Sequence, residues 1–85
     1  MEKYYITFRS VTFAQKGQRI LEQREIFSRM QRTPRWMEKR GCGYALEVRD
    51  LPGTVEALKN GGAVWQKIYR VQEGKVLEVE NFDLS

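Results

Sequence analysis

The sequence predicts an α+β domain, two helices packed on one face of an antiparallel sheet, from three observations. Short runs such as YALEVR, residues 44–49, alternate apolar and polar residues as half-buried strands do. Two other stretches space their apolar residues by three and four, the period of an amphipathic helix. And 85 residues can hold one small core but not two.

The elements follow in order. KYYITFR, residues 3–9, is aromatic and β-branched and too short for a stable helix, so it reads as a strand. Ser10 and Thr12 then offer N-cap hydroxyls. Phe13, Ala14, Gly17, Ile20 and Leu21 form the apolar stripe of a helix over residues 11–24, with Lys16, Arg19, Glu22 and Gln23 on its other face. Gly17 costs that helix about 1 kcal/mol against alanine, a cost that a close packing contact would explain. IFSRMQ, residues 26–31, reads as the second strand, and Pro34 stops it. Residues 33–41 form a loop.

The third strand is 44–49, with Tyr44, Leu46 and Val48 on one face and Ala45, Glu47 and Arg49 on the other. Asp50-Leu51-Pro52 starts a helix whose stripe is Leu51, Val55 and Leu58 and which Gly61-Gly62 ends. VWQKIYRV, residues 64–71, is the fourth strand. The order β-α-β-β-α-β in so short a chain favours a ferredoxin-like sandwich with a four-stranded antiparallel sheet. Residues 1–72 make that domain. Residues 73–85 are a C-terminal extension, with a turn at Glu73-Gly74-Lys75, a small extra strand over 76–79 and an acidic tail.

Composition removes several functions. With 41% hydrophobic and 31% charged residues the chain is globular rather than disordered. It has no apolar run long enough to span a membrane and no signal-like stretch in MEKYYITF, which predicts a cytoplasmic protein. One cysteine and no histidine exclude an internal disulfide, a zinc finger and any site that needs imidazole. No metal and no cofactor is expected. Glu22, Glu25, Glu38, Glu47 and Glu56 read as solvated charges, without a catalytic pair among them.

Charge is concentrated. Residues 29–40 carry Arg29, Arg32, Arg35, Lys39 and Arg40 against Glu38 alone, equal to the whole net charge of +4. This basic loop leads into Gly41-Cys42-Gly43. In the predicted topology the start of the third strand lies beside the end of the first, which places Cys42 near the helix start at Ser10 and Thr12. A helix N-terminus and nearby cations lower a thiol's pKa, and the flanking glycines leave backbone N–H groups open to an anion. Cys42 is therefore the candidate reactive group. Arg32, Arg35, Lys39, Arg40, Gly41, Gly43, Ser10 and Thr12 are its candidate anion- or partner-binding surroundings.

The chain also resembles a known family. Pro34-Arg35 in a loop, then Cys42-Gly43-Tyr44-Ala45-Leu46 entering a strand, is similar to the selenium/sulfur carrier-like proteins, which are small bacterial proteins. The resemblance runs from Tyr4-Tyr5-Ile6-Thr7-Phe8 to Ile68-Tyr69, with Arg32 standing where the family often has a second proline. It implies a non-enzymatic thiol carrier that holds sulfur or selenium on Cys42 as a persulfide or selenosulfide. A donor such as a cysteine desulfurase would load it, and an acceptor protein would unload it. An arginine-rich loop suits acidic partners.

Two other readings come from different classes. Arg40-Gly41-Cys42-Gly43-Tyr44-Ala45-Leu46-Glu47 partly matches the octapeptide of RNA-recognition motifs, but Cys42 and Glu47 replace its aromatics, and the face parity would bury Glu47 and expose Leu46 and Val48. Nucleic acid is not the expected partner. A protein-interaction domain is the third reading. Its open sheet face would show Tyr5, Thr7, Trp65, Lys67 and Tyr69, covered by Leu77, Val79 and Phe82 of the tail or by a second chain in a homodimer.

Overall fold

Residues 3–32 and 43–79 are described by the computed structural model. The elements are β1 (Lys3–Phe8), α1 (Val11–Gln23), β2 (Arg29–Arg32), β3 (Tyr44–Val48), α2 (Leu51–Asn60), β4 (Ile68–Gln72) and β5 (Lys75–Glu78). They form an α+β structure with one sheet in the order β2-β3-β1-β4-β5, every neighbouring pair antiparallel. The sheet has five strands, which corrects the expected four. The fifth comes from the extension, which a turn at Glu73-Gly74 folds back so that Lys75 pairs with Gln72.

Strand alternation decides what is inside. Ile6 and Phe8 of β1 and Leu46 and Val48 of β3 are buried in one cluster with Ala14 and Leu21 of α1 and with Leu51, Val55, Ala57 and Leu58 of α2. Both helices therefore cover the same face of the sheet, the face on which Tyr44 also packs. Gly17 lets α1 approach closely: a Cβ there would meet the Phe8 ring at 3.0 Å and Leu58 Cδ2 at 3.3 Å. The packing contact that the sequence offered as the reason for a mid-helix glycine is present.

Several boundaries move for local reasons. Of the two candidate caps, Ser10 is the N-cap and accepts from Phe13 N at 3.4 Å, whereas Thr12 stands exposed in the first helical turn. After α1 the chain turns at Glu25, whose φ is +57°, and Ile26 N donates back to Leu21 O at 2.9 Å. This is a left-handed helix stop built on a glutamate, and it holds residues 26–28 out of the sheet. The second strand is thus 29–32 rather than 26–31. Phe27 instead lies under the Arg49 guanidinium, 4.9 Å from its ring centre. Asp50 caps α2 by accepting from Gly53 N at 3.1 Å.

The fourth strand begins at Ile68, later than expected. Residues 64–67 still follow β1, with Gln66 N donating to Thr7 O at 2.8 Å and Thr7 N to Lys67 O at 2.9 Å. The Thr7 hydroxyl adds a bond from Lys67 N at 3.0 Å, which is why a threonine on the supposedly open face is buried. Tyr5 and Tyr69 on that face are half-buried, Lys67 is exposed and pairs with Glu78 at 3.5 Å, and Trp65, expected on this face, packs against the helix-side core instead. Leu77 of β5 is exposed and does not cover it. Glu47 is the clearest correction. It is 7% exposed, flanked by Tyr5 on β1 and Arg29 on β2, rather than a solvated charge.

Candidate functional site

Register gathers the predicted surroundings at one end of the sheet. Phe8 lies opposite Tyr44, and Tyr44 opposite Arg32, so the ends of β1, β3 and β2 stand in a row. Two residues beyond Phe8 is Ser10, the cap of α1. One residue before Tyr44 is Gly43, with φ +138°, a backbone conformation that glycine adopts without strain. The segment that joins β2 to β3 thus starts and finishes at this end. Arg32, Gly43, Ser10 and Thr12 are brought together here, Arg32 and Thr12 exposed and Gly43 and Ser10 half-buried. Arg35, Lys39, Arg40, Gly41 and Cys42 lie outside the described residues, as do Pro34 and Glu38.

The electrostatics of this end favour an anion. The first turn of α1 contains no acidic residue, so nothing on the helix itself offsets its positive dipole end. Arg9 adds a cation that the sequence analysis did not single out. Continuing the β1–β3 register by one step puts it level with Gly43. Arg9 is exposed, and its guanidinium has no ion-pair partner among the described residues.

Beside Ser10 is a cleft of about 240 Å³ lined by Arg9, Phe13, Val64, Trp65 and Gln66. Phe13 belongs to the apolar stripe by spacing, yet it is 41% exposed and faces this cleft instead of the core. Ala14, Gly17 and Leu21 carry the buried face of α1, and Phe13 points about 100° round the helix from Ala14, at the edge of that face. The sequence carried no signal for this, because Val64-Trp65 reads as the start of the fourth strand.

On the opposite face of the sheet, the Tyr5 hydroxyl donates to Glu47 Oε1 at 3.3 Å. Burial pushes the Tyr5 phenol above its ordinary value of 10.0; a hydrogen bond with Gln31 opposes this and the Glu47 carboxylate adds to it. Among the described residues no group of acidic or cysteine side chains is arranged to hold a metal ion. No helix among them is long and apolar enough to cross a membrane.

No curated protein and no solved structure matches the chain. One family model does, that described as "Putative Se/S carrier protein-like", over residues 3–70. That span takes in β1 to β3, both helices, the start of β4 and the Cys42 position, and the chain belongs to this Se/S carrier-like family.

Proposed function

We propose that the protein is a sulfur or selenium carrier and that Cys42 holds the element. The observation that carries this is the family match across residues 3–70, which encloses Cys42. Its support from physical chemistry is the acid-free start of α1 beside Gly43, the residue bonded to Cys42, with Arg9 and Arg32 at the same end. We read β1–β4 with the two helices as a ferredoxin-like unit, on the strand order β2-β3-β1-β4. Leu46 and Val48 belong to the helix-packed core, the reverse of the parity an RNA-recognition motif needs, which favours the carrier over the nucleic-acid reading.

The chemistry is thiol exchange. The Cys42 thiolate attacks the terminal sulfur of a donor persulfide, a new S–S bond forms on Cys42, and the donor leaves as a thiolate. Unloading reverses the roles, with an acceptor thiolate or other nucleophile taking the terminal sulfur. Selenium follows the same course as a selenosulfide. A second thiol nearby would discharge the cargo as a disulfide, and this chain has a single cysteine. The donor is of the cysteine desulfurase kind, and Arg32, Arg35, Lys39 and Arg40 meet acidic surfaces on donor and acceptor.

The test is intact-mass analysis after incubation with a cysteine desulfurase and cysteine. A gain of one sulfur that reducing agent removes is expected, and the Cys42→Ser protein should fold and gain none. Loading of Cys42→Ser, or an unloaded natural protein beside a desulfurase that loads a known acceptor, overturns the proposal. Iodoacetamide alkylation should show an inflection below about 8.5, the value of a free cysteine.

A further inference from the structure

The cleft beside Ser10 is open, and its walls are mostly apolar. Phe13 and Val64 are 41% and 66% exposed, and half-buried Trp65 lines it with them. Exposed apolar side chains gathered round a concavity mark a docking surface. At about 240 Å³ the cleft is smaller than the roughly 300–1,000 Å³ of sites that take whole small molecules, and it suits one large side chain. Arg9 stands in the same wall, exposed and without an ion-pair partner among the described residues. The chemistry that complements such a wall is an aromatic or branched apolar side chain next to a carboxylate.

Position says which protein brings it. Arg9 is level with Gly43 when the β1–β3 register is continued by one step, and on the other side of β1 Gln66 N donates to Thr7 O at 2.8 Å. The cleft and the residue bonded to Cys42 therefore flank the same end of β1, where neighbouring strands are about 5 Å apart. Cys42 follows Gly43 at about 4 Å along the chain. A specific protein interface covers about 800 Å² of each partner, a disc roughly 30 Å across. A protein that brings a sulfur atom to Cys42 thus covers the cleft as well. Unloading needs only a nucleophile, which can be a small molecule, whereas a donor persulfide of the desulfurase kind is carried by a protein. The donor is the partner that needs a docking surface.

We infer that this cleft anchors the sulfur donor: a large apolar side chain of the donor enters against Phe13, Val64 and Trp65, and a carboxylate beside it pairs with Arg9. The inference rests on the carrier reading for the identity of the partner. It adds an apolar contact, which salt does not screen, to the attraction exerted by the cations of residues 29–40.

Loading from two sulfur sources, followed by intact mass, tests it. With a cysteine desulfurase, Phe13→Ser and Arg9→Glu should each raise the desulfurase concentration for half-maximal loading rate by about tenfold, and Val64→Ser by less. Inorganic polysulfide needs no docking: the Cys42 thiolate takes one terminal sulfur, and the polysulfide leaves one atom shorter. From it Phe13→Ser and Val64→Ser should load as the natural protein does. Variants that load from the desulfurase as the natural protein does overturn the inference and leave the carrier reading standing. Equal slowing from both sources would reduce these residues to a structural role and also overturn it. A natural protein that loads from neither source overturns the carrier reading, and the inference with it. A second measurement keeps the cleft intact: unlabelled desulfurase added to the labelled Cys42→Ser chain should shift or broaden the amides of Arg9, Phe13 and residues 64–66 well beyond those of Asp50 and Gly74. Changes centred on Tyr5 and Tyr69, or none, overturn the inference. So does a shift of the cleft amides when the chain alone is concentrated, which would assign the cleft to a second copy.

Discussion

The Tyr5 hydroxyl donates to Glu47 Oε1 at 3.3 Å across the β1–β3 pair, on the sheet face away from the helices. A carboxylate that is 7% exposed needs such a donor, because burial without one costs more than the bond itself contributes.

Tyr5→Phe should therefore lower stability by about 1 kcal/mol in urea unfolding, with the phenyl ring still in place. The raised value of the Tyr5 phenol means that the folded chain holds this proton more tightly than the unfolded chain. That contribution is complete below pH 10 and is lost as pH rises through the folded value. Natural protein should lose stability more steeply above pH 10 than Tyr5→Phe does. Equal slopes would show that Tyr5 does not couple to folding.

Gly17→Ala sets two effects against each other. Helix propensity favours alanine by about 1 kcal/mol. The new methyl would meet Phe8 at 3.0 Å and Leu58 at 3.3 Å, both fully buried, and overpacking costs about 1–3 kcal/mol. A net loss of about 1 kcal/mol is expected in thermal or urea unfolding. A gain would show that α1 can shift away from the sheet.

Thr54 on α2 is fully buried, and its hydroxyl has no hydrogen-bond partner among the described residues. Thr54→Val replaces that hydroxyl by a methyl of similar shape and should stabilise the protein by about 1–2 kcal/mol. Thr54→Ser, which keeps the hydroxyl and opens a gap, should destabilise it. The two signs, read from urea midpoints at constant slope, check the assignment.

Replacing Arg32, Arg35 and Arg40 with serine should slow loading from the donor more than it changes unfolding. Added salt should slow the natural protein towards the rate of the variant, since screening removes the same attraction. Stopped-flow loading at low ionic strength measures this, and unchanged rates would take the arginines out of docking. Arg32, exposed at the end of β2, is the one of the three whose place in the sheet is described.

Local chemistry made some of this protein legible from sequence alone. The period of two in 44–48 put Leu46 and Val48 in the core, and Asp50 and Ser10 announced the helix starts, because alternation and capping act within a few residues. The motif around Cys42 placed the chain in its family, over a span that the family match reproduces. Tertiary structure decided what depends on distant residues. Glu47 is buried because Tyr5 and Arg29, 42 and 18 positions away along the chain, flank it in the sheet. The second strand starts late because Glu25 takes a left-handed turn that nothing in IFSRMQ foretells. Phe13 leaves the core because Arg9, Val64 and Trp65 arrive beside it to form a cleft. Periodicity reports which face of an element is apolar, but only the assembled sheet fixes which neighbours reach that face and therefore what is exposed.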